Sequence, residues 1–144
     1  MPHGLTNIRD TVSLSAPIIQ IRQIKTGETV GYGASYTADR EMTIATVGIG
    51  YADGFFRSLS NAGYVFVNNK KCDIIGRVSM DLITIDISHI ANEITANDIV
   101  EIIGPNITLE EFAKNAGTIG YEVLTRLGKS MEKCYSKHSQ TNKE

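Results

Sequence analysis

Apolar and polar residues alternate in short stretches through the first two thirds of the chain and then change to helical spacing. Pro17 to Lys25 sets Ile19 and Ile21 on one side and Ile18, Gln20, Arg22 and Ile24 on the other, and its β-branched content predicts a strand. Lys25 to Glu28 reads as a turn, and Met42 to Ile49 as a second strand ending in the Gly48/Gly50 pair. Gly63–Val67 and Lys71–Gly76 flank the polar residues Asn68, Asn69 and Lys70, which predicts a hairpin. Leu82 to Ile87 alternates Ile83, Ile85 and Ile87 with Thr84 and Asp86, the pattern of a half-buried strand. Asp98 to Ile103 is another strand, closed by Gly104-Pro105.

Beyond that point Thr108 and Glu111 carry the spacing of a capping box, in which hydroxyl and carboxylate satisfy two otherwise unpaired amides. Leu109, Phe112, Ala113 and Ala116 follow on one helical face, and Gly117 stops the helix. Ile119 to Leu127 reads as a second short helix with Tyr121 in its first turn, and Met131 to Tyr135 as a last strand. Six or so short strands with one or two late helices predict a mainly β fold, a compact β-barrel-like domain decorated with short helices near its C-terminal end. Residues 1–11 read as a leader or linker, 12–136 as one β domain and 137–144 as a polar tail.

The 144 residues suit one domain, with a core large enough to need no covalent staple. Fourteen basic and sixteen acidic residues nearly cancel, which gives no support to a nucleic-acid or anionic-membrane partner. No apolar run reaches membrane-spanning length and no secretory pattern opens the chain, so a cytoplasmic setting is expected. Cys72 and Cys134 form no paired metal motif and read as two buried or idle thiols, with a single disulfide as the alternative, and the scattered His3, His89 and His138 suggest no metal site.

Candidate chemistry gathers at glycine-flanked tyrosines. Tyr32 lies between Gly31 and Gly33, Tyr51 follows Gly50, and Tyr121 follows Gly120. By residue type alone they are either exposed turn tyrosines or phenols presented for acid–base work. Arg57 and Arg77, close after glycines, are either solvated surface charges or the lining of an anionic-substrate entrance. Gly48, Gly50 and Gly54 are spaced wrongly for a dinucleotide loop, and Asp53 and Asp81 read as turn residues.

Four segments together resemble the C-terminal domain of alanine racemases, a pyridoxal-phosphate family that interconverts L- and D-alanine. They are Gly31–Ala38, Gly50–Gly54 with Arg57, Gly76–Asp81 and Gly117–Glu122, and the likeness runs from about Val12 to Tyr135. Two departures stand out: Ser79 where cysteine is common, and Gly120 where asparagine is usual before the tyrosine. The resemblance implies a (β/α)8 barrel N-terminal to this domain, which binds the cofactor through a lysine. It also implies a head-to-tail homodimer whose active sites combine one subunit's barrel with the other's C-terminal domain. The chain has no room for a barrel of ~250 residues.

The resemblance implies Tyr32 as the base on the L-alanine side, and the Met80 backbone N–H as donor to the substrate carboxylate. It implies Tyr51 as a residue lining the substrate entrance, Arg57 and Arg77 as residues of that corridor, and Tyr121 as a hydroxyl donor to the cofactor phosphate. Racemisation removes a proton from one face and returns it to the other, so two bases must flank the substrate. A phenol with a pKa near 10 is only about 0.1% ionised at pH 7, and lowering it to roughly 7–8 takes on the order of 3–4 kcal/mol. In the family a barrel histidine and arginine provide that help, so the isolated chain is expected to be inactive. Two other readings remain at this stage: a stand-alone β-barrel binding module and a related pyridoxal-dependent decarboxylase.

Overall fold

A computed structural model describes residues 13–30 and 35–127. Among these residues eight strands form in chain order: β1 (Leu14–Ile24), β2 (Thr29–Val30), β3 (Tyr36–Thr37), β4 (Met42–Val47), β5 (Tyr64–Val67), β6 (Lys70–Ile75), β7 (Ile83–Asp86) and β8 (Ile99–Ile103). Six of them close an antiparallel barrel in the order β1-β4-β7-β6-β5-β8, and β2 and β3 pair separately. The mainly β, barrel-like fold expected from the alternating pattern is therefore present. The expected last strand, Met131 to Tyr135, lies outside the described residues.

Closure depends on β1. Leu14–Pro17 pairs with β8, whereas Ile18–Ile24 pairs with β4, so one long strand serves both neighbours. Pro17, which has no N–H to donate, stands where the partner changes. A register shift between Ile18 and Gln20 breaks the expected two-sided alternation: Ile18 is buried, while Ile19 is 54% exposed. The strand also begins three residues earlier than its apolar pattern suggests.

The β5–β6 hairpin turns on Asn68 and Asn69, with φ of 51° and 63°. Asparagine tolerates this left-handed conformation, and two such residues match the twist of the flanking strands. Helix α1 (Leu109–Ala116) begins where Thr108 Oγ1 accepts from the Glu111 amide at 3.0 Å and ends at Gly117, φ +78°. The reciprocal half of the expected box is replaced by a tertiary contact, because the Glu111 carboxylate accepts from the Tyr64 hydroxyl. Hydrogen bonding to Asn115 lowers the Tyr64 pKa, but the Glu111 bond, burial and the Glu111 charge outweigh it and leave the phenol raised.

One core fills the barrel and continues beneath α1, where Phe112 meets Phe55 and Phe56 edge-on at 5.8 and 6.1 Å. Such pairs add about 0.5–1.5 kcal/mol each beyond their burial. A smaller second core lies on the outer wall. Val30 of β2 and Ala38, just after β3, pack with Ile24, Met42, Ile44 and Ile75. Adjacent residues on β4 and β6 thus serve opposite faces: Ala45 and Ile74 point inward, and Ile44 and Ile75 belong to the outer cluster.

Cys72 is a buried free thiol, and burial pushes its pKa up to about 12. That rise from the ordinary value lowers the thiolate fraction near neutrality about a thousandfold. At pH 8, iodoacetamide should leave the Cys72 peptide unmodified in the native chain and label it in denaturant, as read by peptide mass spectrometry. Rapid native labelling would contradict the buried placement.

Candidate functional site

Four of the six sequence-identified residues come together. Tyr51, Arg57 and the run Arg77–Leu82, which includes Met80, line a cavity of about 470 Å³. Two 3-10 turns supply its first side, Tyr51–Asp53 and Arg57–Leu59, and the segment between β6 and β7 supplies the second.

The two sides are joined through backbone. The Tyr51 amide donates to Ser79 O and the Ala52 amide to Met80 O, both at 2.9 Å. Gly50 makes this approach possible: a Cβ there would stand 2.4 Å from both carbonyl oxygens. Asp53 closes the Tyr51 turn by accepting from the Gly50 amide at 3.0 Å, which agrees with its sequence reading as a turn residue. Gly54 has φ +96°, and a Cβ on it would come within 2.1 Å of the Arg126 carbonyl oxygen.

Ser79 gives the second side its shape. Its amide and hydroxyl both donate to Leu82 O, and its hydroxyl also accepts from the Leu82 amide. Within this tight loop the Met80 N–H donates to no group among the described residues, and Met80 is 52% exposed. An uncommitted backbone donor at the edge of a cavity flanked by two arginines is suited to a carboxylate.

The Arg57 guanidinium lies 4.3 Å from the centroid of the Tyr51 ring. A contact of this kind contributes about 0.5–1 kcal/mol at an exposed position and holds both groups at the cavity mouth. Arg77 is exposed on the facing segment, so an arginine lines the cavity from each side, with the single carboxylate of Asp81 beside Met80.

Tyr121 does not line this cavity. It occupies the expected first turn of a helical run over 120–127 and is 77% exposed. Val123 and Leu127 bury the other face of that run in the main core, and Arg126 stacks at 4.2 Å over Phe56 while donating to Phe55 O at 3.3 Å. The helix is thereby tied to the segment that carries Tyr51. An exposed phenol on such an anchored turn is a competent donor to a phosphate, so it fits one end of pyridoxal phosphate. No lysine lines the cavity, so the described part of the chain offers no covalent partner for the cofactor's aldehyde there.

Tyr32 lies outside the described residues. The connection that contains it, 31–35, joins β2 to β3, whose flanks Val30 and Ala38 are buried in the outer core. Sequence reasoning does not single out Ser60 and Asn61. The Ser60 hydroxyl accepts from the Val78 amide at 2.8 Å. Asn61 Oδ1 accepts from the Gly76 amide at 2.6 Å, and its Nδ2 donates to Ser35 O at 3.1 Å. Only the position of an asparagine in a small-residue turn could have signalled them, and that pattern is common.

The chain is similar to known proteins over most of its length. Residues 11–135 match the family model described as alanine racemase, C-terminal domain. The alanine racemase of Cereibacter sphaeroides is 46% identical over 129 residues, covering 90% of this chain and 36% of the relative. That of Brucella canis is 46% identical over 130 residues, covering 90% and 33%. Among solved structures, alanine racemase from Bartonella henselae with covalently bound pyridoxal phosphate superimposes with a TM-score of 0.76 at 42% identity, covering 78% of this chain and 32% of that one. The biosynthetic enzyme of Pseudomonas aeruginosa gives 0.75 at 40% identity, covering 80% and 32%. The chain spans about a third of the length of these relatives. With the family model matched over most of its length, and with the fold in common, the chain belongs to the alanine racemase C-terminal domain family.

Proposed function

We propose that this chain supplies one side of an alanine racemase active site, completed by a pyridoxal-phosphate-binding barrel in another part of the enzyme dimer. The observation that carries the reading is the cavity in which Tyr51, Arg57, Arg77 and the uncommitted Met80 N–H meet. Alanine is small, zwitterionic and presents one carboxylate. Two arginines at the mouth favour an approach with the carboxylate end first, and the Met80 amide gives that carboxylate one directed hydrogen bond. Tyr51, held by Arg57, narrows the approach.

Bound pyridoxal phosphate would supply the electron sink that makes the α-proton of alanine removable. Tyr121 would donate its hydroxyl to the cofactor phosphate. Tyr32 would take the α-proton from the L-alanine side and return one there in the reverse direction. A racemase needs a second base on the opposite face, and that group belongs to the barrel. The role of this chain is therefore to orient the carboxylate, gate entry and move one of the two protons.

Incomplete by itself, the chain should produce no D-alanine when incubated with pyridoxal phosphate and L-alanine, as measured by chiral chromatography. Joining it to the N-terminal barrel of a close relative should restore turnover. Racemisation by the chain alone would overturn this division of labour.

A further inference from the structure

We infer that Asn61 is a positioning residue that holds the foot of the β2–β3 connection in register with the Gly76–Met80 side of the cavity. The inference rests on the racemase reading above. Asn61 sits in the left-handed region, φ 55°, immediately after the turn that bears Arg57. From that conformation its backbone amide and its Oδ1 face one segment, and its Nδ2 faces another. Its amide donates to Gly76 O at 3.1 Å and its Oδ1 accepts from the Gly76 amide at 2.6 Å, closing a two-bond ring. Gly76 is buried, so its N–H must find a protein partner, and Asn61 is that partner. The remaining donor, Nδ2, reaches 3.1 Å across to Ser35 O.

One carboxamide thus joins three pieces of chain. It sets the end of the Arg57 turn, the start of the run that leads through Arg77 to Met80, and the last residue of the connection that contains Tyr32. Ser60 beside it fixes Val78 in the same way, but among the described residues it is the Asn61 side chain that bonds to both sides. An amide is the side chain this requires, because it accepts from one segment and donates to another through a single rigid plane. A racemase needs its base and its carboxylate donor at a fixed separation, since a small displacement at the reacting atom costs rate steeply.

Two substitutions separate the bonds. Asn61→Gly keeps the left-handed backbone at no steric cost and removes both side-chain bonds. Asn61→Asp keeps an acceptor for the Gly76 amide and sets a carboxylate oxygen, unable to donate, against Ser35 O. In the chain itself, amide hydrogen exchange should quicken at least tenfold at Gly76 in the glycine variant, and stay near the unaltered rate there in the aspartate variant. In the enzyme completed with its barrel, both variants should raise the α-deuterium isotope effect with L-alanine and leave that with D-alanine unchanged or smaller. A structural role alone would lower the amount of active enzyme without moving either isotope effect. Unchanged isotope effects in both variants overturn the inference, and a change in the glycine variant alone overturns the part assigned to the Ser35 bond. Failure of the unaltered completed enzyme to racemise alanine would instead sink the functional reading on which it rests.

Discussion

Changing Tyr32 to phenylalanine in the barrel-completed enzyme should lower racemisation about 10³-fold, because general acid–base groups contribute typically 10²–10⁴-fold. The loss must appear equally in kcat/KM for both directions, since the two enantiomers are equal in free energy and no variant can alter their equilibrium. The asymmetry should lie in exchange. With D-alanine in deuterated water, the barrel base still removes and returns the α-proton, so deuterium enters without inversion. With L-alanine the base on that side is gone, and incorporation should fall with racemisation. Proton NMR of the α position measures both. Undiminished exchange from L-alanine would remove Tyr32 from the mechanism, and unfolding cannot mimic the result because D-alanine exchange reports intact enzyme.

The second large effect is expected at Gly50. Its substitution by alanine would drive a Cβ to 2.4 Å from two carbonyl oxygens, and both belong to backbone that cannot rotate away. Overpacking of this kind costs about 1–3 kcal/mol, and separating the two segments weakens two hydrogen bonds worth about 0.5–1.5 kcal/mol each. A destabilisation of about 3 kcal/mol should lower the thermal midpoint by about 10 °C in a domain of this size. Gly48→Ala provides the contrast, because its Cβ would meet only the movable end of Ile19 at 3.0 Å. Circular dichroism melts of the two variants test the difference. Equal midpoints would mean that the Tyr51 turn is not seated on Ser79 and Met80. In the completed enzyme Gly50→Ala should also raise KM for alanine, since the same contact places the Met80 amide.

Local chemistry explains which elements could be read from the sequence. The Asn68-Asn69 turn, the Thr108 cap and the Gly117 stop each follow from what one or two residues do to their own backbone. All three stand where the pattern puts them. The course of β1 was not legible, because its change of partner depends on strands far away in sequence. Glu111 was misassigned for a similar reason: a capping role and a bond to Tyr64 compete for one carboxylate, and only the tertiary packing decides. In the candidate site, the family motifs marked Tyr51, Arg57, Arg77 and Met80, and these converge on one cavity. The motifs are silent about what keeps the segments together. Those contacts run through main-chain atoms and through Asn61, whose residue type is ordinary for a turn.

The wall shared by the two cores has a consequence for how the domain tolerates change. Ile44 and Ala45 are neighbours on one strand, as are Ile74 and Ile75, yet each pair answers to a different cluster. Side chains of the outer cluster can therefore be exchanged without altering the volume inside the barrel. Substitutions confined to the β2–β3 arm are therefore expected to leave in place the scaffold that presents Arg57, Arg77 and the Met80 amide.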